Sequence, residues 1–255
     1  MRSYVADLHV HTLLSPCAEV EMTPRNIIEQ ALEIGVDIVA ITDHNAGDNI
    51  IAAERAAEGT GILVIPGMEV ETREEVHFIA LFESLAVYAE WQRFVDLHIT
   101  ELVNDEDAFG GQFVVDHEDN LVEVKEVMLL ASLHCSLAEA TAEVKRLGGV
   151  AIASHVDRPS YSVISQLGFV PADVTLAAVE VSRRCQDKGA QNRIREATGL
   201  PLVTASDAHT IGDFINGPKT VLHLEAASLS EVKLALSGSG GRHIGEFLYA
   251  PETTR

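Results

Sequence analysis

Two histidines one residue apart, His9 and His11, lie near the start of the chain in the segment ADLHVHT. Alternate residues of a strand point to the same side, so both imidazoles can bind one ion. Asp207 and His209 repeat this spacing near the other end of the chain, in the segment SDAH. Imidazole and carboxylate are the ligands that suit Zn, Mn or Fe. The sequence therefore predicts a metal centre assembled from both ends of the chain.

More imidazoles and carboxylates fall near the ends of predicted strands, namely Asp43, His44, Glu69, His77 and His155. A carboxylate such as Glu69 can bridge two ions through its two oxygens. Other histidines lack this placement: His98, His223 and His243 are expected to be surface or core residues, and His117 and His134 stay ambiguous. An acidic, solvated fringe is expected for Glu19, Glu21, Glu71, Glu74 and Glu75.

Short apolar strands alternate with helical patterns along the whole sequence. Strands are predicted in YVADLHVH, VDIVAIT, GILVIPGMEV, EVHFIALF, VAIASH, AAVEVS, LPLVTASDAH and KTVLHLE, with helices between most of them. This alternation favours an α/β fold with a parallel sheet covered by helices, and about seven such units favour a barrel. In a parallel barrel the ends of the strands form one face, where active sites lie. The polar residues should therefore converge there.

A single domain over residues 1–255 is expected, because no linker divides the chain. The section at about 104–133 is a candidate insertion, with a hairpin in QFVVDHEDNLVEV that turns near Asp119-Asn120. A long helix is predicted over residues 84–103, and a loop over the Gly-rich residues 237–245. The tail after Tyr249 is expected to fray.

The formal net charge is -21, with 5% aromatic residues, so long nucleic acid is not expected as a partner. A metal cluster can still make a pocket locally positive and admit a small anionic substrate. The three cysteines form no CxxC pair, which indicates a reducing compartment. With no signal peptide and no apolar run long enough for a membrane span, a cytoplasmic protein is expected. The sequence does not indicate the oligomeric state.

The ordered motifs DLHVHT, AITDHN, GMEVET, ASHVDRP and SDAH resemble those of the PHP (polymerase and histidinol phosphatase) family of metal-dependent phosphoesterases. The resemblance runs from about residue 3 to 225 and is weak between about 85 and 145. It implies a distorted seven-stranded, TIM-like β/α barrel. It also implies two or three divalent ions (Zn, Mn or Fe) at the C-terminal ends of the strands.

Carried over by motif, the resemblance implies a role for each residue at the centre. The first ion would be held by His9, His11, Glu69 and Asp207. Glu69 would bridge to a second ion, completed by His77 and His155, and His44 with His209 would hold a third. Asp43 would orient a ligand imidazole. Asp207, His209 and His44 would also act in catalysis.

The sequence departs from the family pattern after the HxHT segment, where many members have SDG and this chain has Ser15-Pro16-Cys17. Cys17 falls where some members place a histidine. It is either a ligand of the third ion or a buried apolar filler, and the sequence leaves both open.

The resulting hypothesis is a hydrolase of a small phosphate ester, a phosphomonoester or a nucleotide, that uses a metal-activated water. One of Arg158, Arg183 and Arg184, which follow strand ends, is expected to contact the phosphate. Two alternatives stand beside it: an amidohydrolase-type metal hydrolase and a non-catalytic metal-binding module.

Overall fold

The computed structural model of the chain describes residues 1–249. Its strands are β1 (Arg2–Val10), β2 (Ile38–Ile41), β3 (Leu63–Glu71), β4 (His77–Leu81), β5 (Phe113–Val115), β6 (Leu121–Val124), β7 (Val150–Ala153), β8 (Ala178–Val181), β9 (Leu202–Thr204), β10 (Lys219–Leu224) and β11 (His243–Leu248). Its helices are α1 (Pro24–Ile34), α2 (Ile50–Ala56), α3 (Leu85–Asp96), α4 (Glu106–Phe109), α5 (Leu137–Arg146), α6 (Val163–Leu167), α7 (Lys188–Thr198), α8 (Ile211–Asn216) and α9 (Leu229–Leu236).

Helix α1 illustrates how the sequence sets the ends of an element. The Thr23 hydroxyl accepts a hydrogen bond from the backbone N–H of Asn26, and Pro24 occupies the first turn. Gly35 ends the helix with a left-handed backbone, which glycine adopts without steric cost. The start and end of this helix are thus set by local chemistry.

Nine strands form one mixed sheet in the order β11-β10-β1-β2-β3-β4-β7-β8-β9. The Thr220 hydroxyl of β10 donates to the carbonyl of Thr204 in β9 at 2.7 Å and accepts from its N–H at 2.9 Å. These bonds join strands near the two ends of the sheet and nearly close it into a barrel. The predicted α/β barrel is confirmed in the form of a nearly closed sheet.

The sheet differs from the predicted parallel, seven-stranded one. Strands β4 and β10 run antiparallel to their neighbours. β4 follows β3 after only five residues, which is long enough for a hairpin but too short for a parallel crossover. Strand order and direction depend on these connections, and apolar patterns alone do not reveal them.

Alternate residues of the strands contribute to two different apolar clusters. Val39 and Ile41 of β2 pack with Ile27 and other buried residues of α1. Ile38 belongs to a second cluster that also includes buried residues of α9. The sheet is thus covered by apolar packing on both faces.

The structure corrects two predicted boundaries and confirms the hairpin. The long helix ends at Asp96 instead of continuing to residue 103, because β-branched Ile99 and Thr100 follow and the Thr100 hydroxyl donates to the Ser132 carbonyl at 2.9 Å. The last three residues of the predicted loop, 243–245, belong instead to the edge strand His243–Leu248, and Gly245 leaves room there for the His223 ring. The predicted hairpin is β5–β6. The predicted frayed tail after Tyr249 lies outside the described residues.

No helix within residues 1–249 combines the length and apolar character needed to cross a membrane.

Candidate metal centre

Four side chains from three distant parts of the chain converge at the ends of β1, β3 and β9: His9, His11, Glu69 and Asp207. Nε2 of His9 lies 3.1 Å from Nε2 of His11, 3.3 Å from Oε2 of Glu69 and 3.4 Å from Oδ1 of Asp207. Nε2 of His11 lies 3.4 Å from the same two carboxylate oxygens. All four residues are largely or fully buried.

These spacings match the ligand shell of a tetrahedral ion. With ligand bonds of about 2.0–2.1 Å to zinc, the ligand atoms lie about 3.3–3.4 Å apart. The five measured separations span 3.1 to 3.4 Å. Within the described residues, buried Oε1 of Glu69 has no hydrogen-bond partner, although imidazole nitrogens lie near it. A buried carboxylate oxygen without such a bond fits a metal ligand, and the donor set therefore fits divalent cations.

Both carboxylate oxygens of Glu69 also lie close to a second group of imidazoles. His44 Nδ1 lies 3.4 Å from Oε2, and His77 Nδ1 lies 3.2 Å from Oε1. These three residues form a second potential ligand cluster. His155 Nε2 lies 3.4 Å from Oε1 but is not part of this cluster. Glu69 is thus positioned to bridge, and the grouping of His77 with His155 around a second ion stays a prediction, with His44 as a further neighbour of Glu69.

A third cluster consists of His11, His44 and His209. The rings of His11 and His209 stack with centroids 4.2 Å apart, and those of His11 and His44 lie 4.6 Å apart. His11 therefore belongs to two clusters. The predicted pair of His44 with His209 is brought together, with His11 as a further member.

The backbone at the end of β1 directs the two histidines. The pairing of β1 with β2 shifts register between Asp7 and Val10, where His9 lies. Such irregularities commonly re-aim a side chain next to a functional site. Asp207 N–H in turn donates to the His9 carbonyl at 3.0 Å, which holds the two ends of the chain together.

Asp43 orients His11 through an intervening hydroxyl. Ser15 Oγ donates to Asp43 Oδ1 at 2.7 Å and lies 3.0 Å from His11 Nδ1. Because the Ser15 hydroxyl donates its hydrogen bond to Asp43, it can only accept one from His11. The His11 imidazole therefore donates from Nδ1 and keeps Nε2 free to bind an ion. Asp43 also accepts from the Thr12 N–H and hydroxyl, both at 2.7 Å. The predicted orienting role of Asp43 is consistent with this chain of bonds.

Two glutamates that support ligands were missed or misassigned from the sequence. Glu180 accepts from His9 Nδ1 at 2.9 Å and from the His155 N–H at 3.2 Å. Glu71, predicted to belong to the solvated fringe, instead lies 3.2 Å from His77 Nε2 and accepts from the Ser132 hydroxyl. The signal for Glu180 was a charged residue within the otherwise apolar strand AVEV.

Mutual charge sets the protonation of the cluster. Burial opposes ionisation of Glu69 and Asp207, but His9 and the other neighbouring imidazoles together outweigh it and hold the pKa of each carboxyl well below its usual range. Burial also opposes protonation of His9, yet Glu69 and Glu180 raise its pKa well above the ordinary value. For His209, burial and the charge of His11 together lower the pKa to about 4. Without cations, some of the imidazoles therefore hold protons that an ion would displace.

Cys17 lies outside all three clusters, and its side chain is exposed. A buried apolar filler does not describe it, because the side chain is exposed, and its role as a ligand of the third ion stays a prediction. Crowding by surrounding protein and the charge of Glu69 raise the pKa of its thiol to about 12. The thiol therefore stays protonated at neutral pH in the absence of a cation.

The three candidate arginines have different surroundings. Arg158 forms an ion pair with Oδ2 of Asp207 and is half-exposed. Arg183 is paired with Asp213. Arg184 is exposed and has no salt bridge within the described residues. The remaining histidines, His98, His117, His134, His223 and His243, belong to none of the clusters.

The chain is similar to known proteins in both sequence and fold. The PHP domain family model matches residues 7–162. The 5'-3' exoribonuclease Rnm of Salmonella typhimurium is 35% identical over 82 residues, which cover 30% of this chain and 27% of Rnm. The phosphoribosyl 1,2-cyclic phosphate 1,2-diphosphodiesterase of Eggerthella lenta is 33% identical over 82 residues, 30% of each protein. The matched segments thus span under a third of these relatives.

The structural similarity extends over more of the chain than the sequence similarity does. The lesion-specific endonuclease PfuEndoQ of Pyrococcus furiosus superimposes with a TM-score of 0.74 at 19% identity, covering 96% of this chain and 58% of that protein. At this identity the likeness concerns the fold.

Proposed function

Since the chain belongs to the PHP domain family of metal-dependent phosphoesterases, we propose that it hydrolyses a small phosphate ester, either a phosphomonoester or a nucleotide. The observation that carries the proposal is the set of ligand atoms from His9, His11, Glu69 and Asp207, spaced at 3.1 to 3.4 Å. The single-domain organisation over residues 1–255 remains part of this proposal.

His9, His11, Glu69 and Asp207 would hold one divalent ion, and Glu69 would bridge to a second. The second ion would be completed by His77, with His44 or His155. His11, His44 and His209 would hold a third where it is present. Bound Zn, Mn or Fe would supply Lewis acidity, which lowers the pKa of a water to near neutrality and offsets the charge on phosphoryl oxygens.

Asp207 would move the proton of the attacking water. Oδ1 faces His9 and His11, whereas Oδ2 faces Arg158 at the outer side. Neighbouring imidazoles hold the pKa of this carboxyl well below its usual range, so it is ionised at neutral pH, the form that can accept a proton. Having accepted the proton, it can return it to the leaving oxygen.

Arg158 is the favoured phosphate contact of the three arginines. Its guanidinium lies beside Asp207 at the mouth of the centre, with 39% of the side chain exposed. A guanidinium matches two phosphate oxygens in geometry and charge. Arg183 is engaged by Asp213 instead. His209 and His44 have lowered pKa values because of burial and the charge of His11, so their neutral rings would orient the phosphate or bind the third ion.

A nucleic-acid end is a second candidate substrate, favoured by the similarity to the exoribonuclease Rnm and by the endonuclease fold. Against it stands the formal net charge of -21, which disfavours a long polyanion. A short 5'-phosphorylated RNA therefore belongs in the substrate panel beside small esters.

The test joins metal analysis to phosphate release from the same sample. We expect two or three ions per chain after purification without chelator, and turnover of at least one small ester. Turnover should collapse in His11→Ala and in Asp207→Ala while the fold persists. His223→Ala removes a histidine outside the clusters and should change neither readout. Activity that survives both ligand substitutions would overturn the mechanism.

A further inference from the structure

Left-handed backbone conformations concentrate at the metal centre. Within the described residues, six non-glycine residues have positive φ, and Glu75 and Asp119 lie in hairpin turns. Of the others, His155 and Asp207 are candidate ligands, and Asn45 follows His44. The sixth is Tyr161, with φ of 57°. Strained backbone tends to persist where function requires it, and Tyr161 has no assigned role.

Tyr161 covers a candidate ligand. Its ring centroid lies 4.7 Å from that of His77 at an angle of 32°, and its carbonyl accepts from the His77 N–H at 2.9 Å. Yet 44% of the residue is exposed. Within residues 1–249, its hydroxyl makes no hydrogen bond. The ring therefore packs against His77, while much of the residue faces solvent.

A tyrosine is an unfavourable choice for this backbone, since glycine or asparagine adopts positive φ at lower cost. Filling a buried space does not explain the choice, because almost half of the residue is exposed. An exposed aromatic face beside a reaction centre is suited to stacking on a planar group.

A single loop arranges three contacts across the centre. His155 reaches Glu69, Arg158 pairs with Asp207, and Tyr161 lies on His77. The loop therefore presents a guanidinium near Asp207 and an aromatic ring near His77. A phosphate bound between these two points would have a cation on one side and an aromatic surface on the other.

We infer that Tyr161 is a positioning residue that stacks on a planar ring of the substrate, so that the preferred esters carry an aromatic base close to the phosphate. The inference rests on the proposed function, since it places the phosphate at the metal centre. It narrows the substrate class from small phosphate esters in general to nucleoside phosphates.

The experiment compares two phosphates on the manganese-loaded protein: adenosine 5'-monophosphate, which has a base, and glycerol phosphate, which has none. The variants are Tyr161→Phe, which keeps the ring, and Tyr161→Leu, which keeps apolar bulk without it. Phe169→Leu removes another exposed aromatic ring as a control. KM and kcat are measured if the phosphates are hydrolysed, and Kd by calorimetry if they are only bound.

We expect Tyr161→Leu to raise KM or Kd for adenosine 5'-monophosphate about tenfold, the scale of a lost base–aromatic stack. The value for glycerol phosphate, kcat and the metal content should stay within about twofold. Tyr161→Phe and Phe169→Leu should behave like the unmodified protein.

Other outcomes separate this inference from the proposed function. An equal loss for both phosphates would mean that Tyr161 only shields His77, and an unchanged preference, or no binding of either, would also overturn the inference. If both phosphates bind with the expected contrast but neither is hydrolysed, the proposed function fails while the role of Tyr161 stands.

Discussion

Glu180 accepts a hydrogen bond from Nδ1 of His9 at 2.9 Å, across a sequence separation of 171 residues. Both side chains are buried. The bond fixes the imidazole tautomer and directs Nε2 towards the candidate first ion. It also joins β8 to the end of β1, so part of the ligand geometry is set by a strand that carries no ligand itself.

We expect Glu180→Ala to weaken metal binding by about 10- to 100-fold, the usual effect of losing a residue that orients a ligand. Glu180→Gln retains an acceptor oxygen and should lose less. The affinity is measured by competition with a chromogenic chelator, with circular dichroism to establish folding. Exposed Glu196→Ala serves as the control. Unchanged affinity in folded Glu180→Ala would show that the bond to His9 does not tune the centre.

Metal binding should strengthen as pH rises towards 9. Burial opposes protonation of His77, but Glu69 and Glu71 outweigh it and raise its pKa from the ordinary 6.5 to about 9. The ring is therefore protonated at neutral pH in the metal-free protein, and an ion must displace that proton. Calorimetry in two buffers of different ionisation enthalpy should record proton release at pH 7.5, and less of it above pH 9.

The raised pKa of His77 also predicts how the stability of the metal-free protein changes with pH. A raised pKa in the folded state stabilises the protein below pH 6.5, and this contribution is lost as pH rises through about 9. Chelated protein should therefore unfold at lower denaturant concentration at pH 9 than at pH 6.5. His77→Gln should reduce that difference. An equal pH dependence in both proteins would contradict the assignment to His77.

The positions of the candidate ligands were predictable because each lies at a strand end, where side-chain type and sequence spacing are directly visible. His9, His11, Glu69 and Asp207 were grouped by motif resemblance, and the structure brings them together. Their role as ligands stays a prediction. The element boundaries of α1 were predictable for a similar reason, since Thr23, Pro24 and Gly35 act through local chemistry.

The remaining features depend on contacts between distant residues. Glu71 was expected in solvent, but the Ser132 hydroxyl, 61 residues away, and His77 enclose it. The grouping of imidazoles around Glu69 depends on ring positions, and His44 lies as near to Glu69 as His155 does, at 3.4 Å. The direction of β4 depends on the length of the turn after β3. None of these follows from periodicity in one segment.

Cys17→Ser should leave the number of bound ions unchanged. Cys17 is exposed and belongs to none of the ligand clusters. His209→Ala removes a member of the third cluster and should lower the content by one ion per chain if three are bound. Elemental analysis of both variants measures this directly. Loss of one ion in Cys17→Ser would instead make the thiolate a ligand, as one of the two sequence hypotheses proposed.

The segment at about 104–133 should affect the metal centre through one close backbone contact. Gly110 has φ of 100°, and a Cβ there would lie 2.0 Å from the carbonyl oxygen of Pro16. Pro16 directly follows Ser15, whose hydroxyl orients His11. Gly110→Ala must therefore displace either its own loop or the loop that supports a candidate ligand.

A matched glycine separates this displacement from simple backbone strain. Gly148 also has positive φ, at 70°, but no atom lies within 4 Å of its added Cβ. Gly148→Ala should cost about 1 kcal/mol of unfolding free energy and leave metal affinity unchanged. Gly110→Ala should cost more than this and weaken metal binding as well, both measured by urea unfolding and chelator competition. If the two variants lose equal stability and keep equal affinity, the segment does not support the centre, because the close contact at Pro16 is then relieved without moving Ser15.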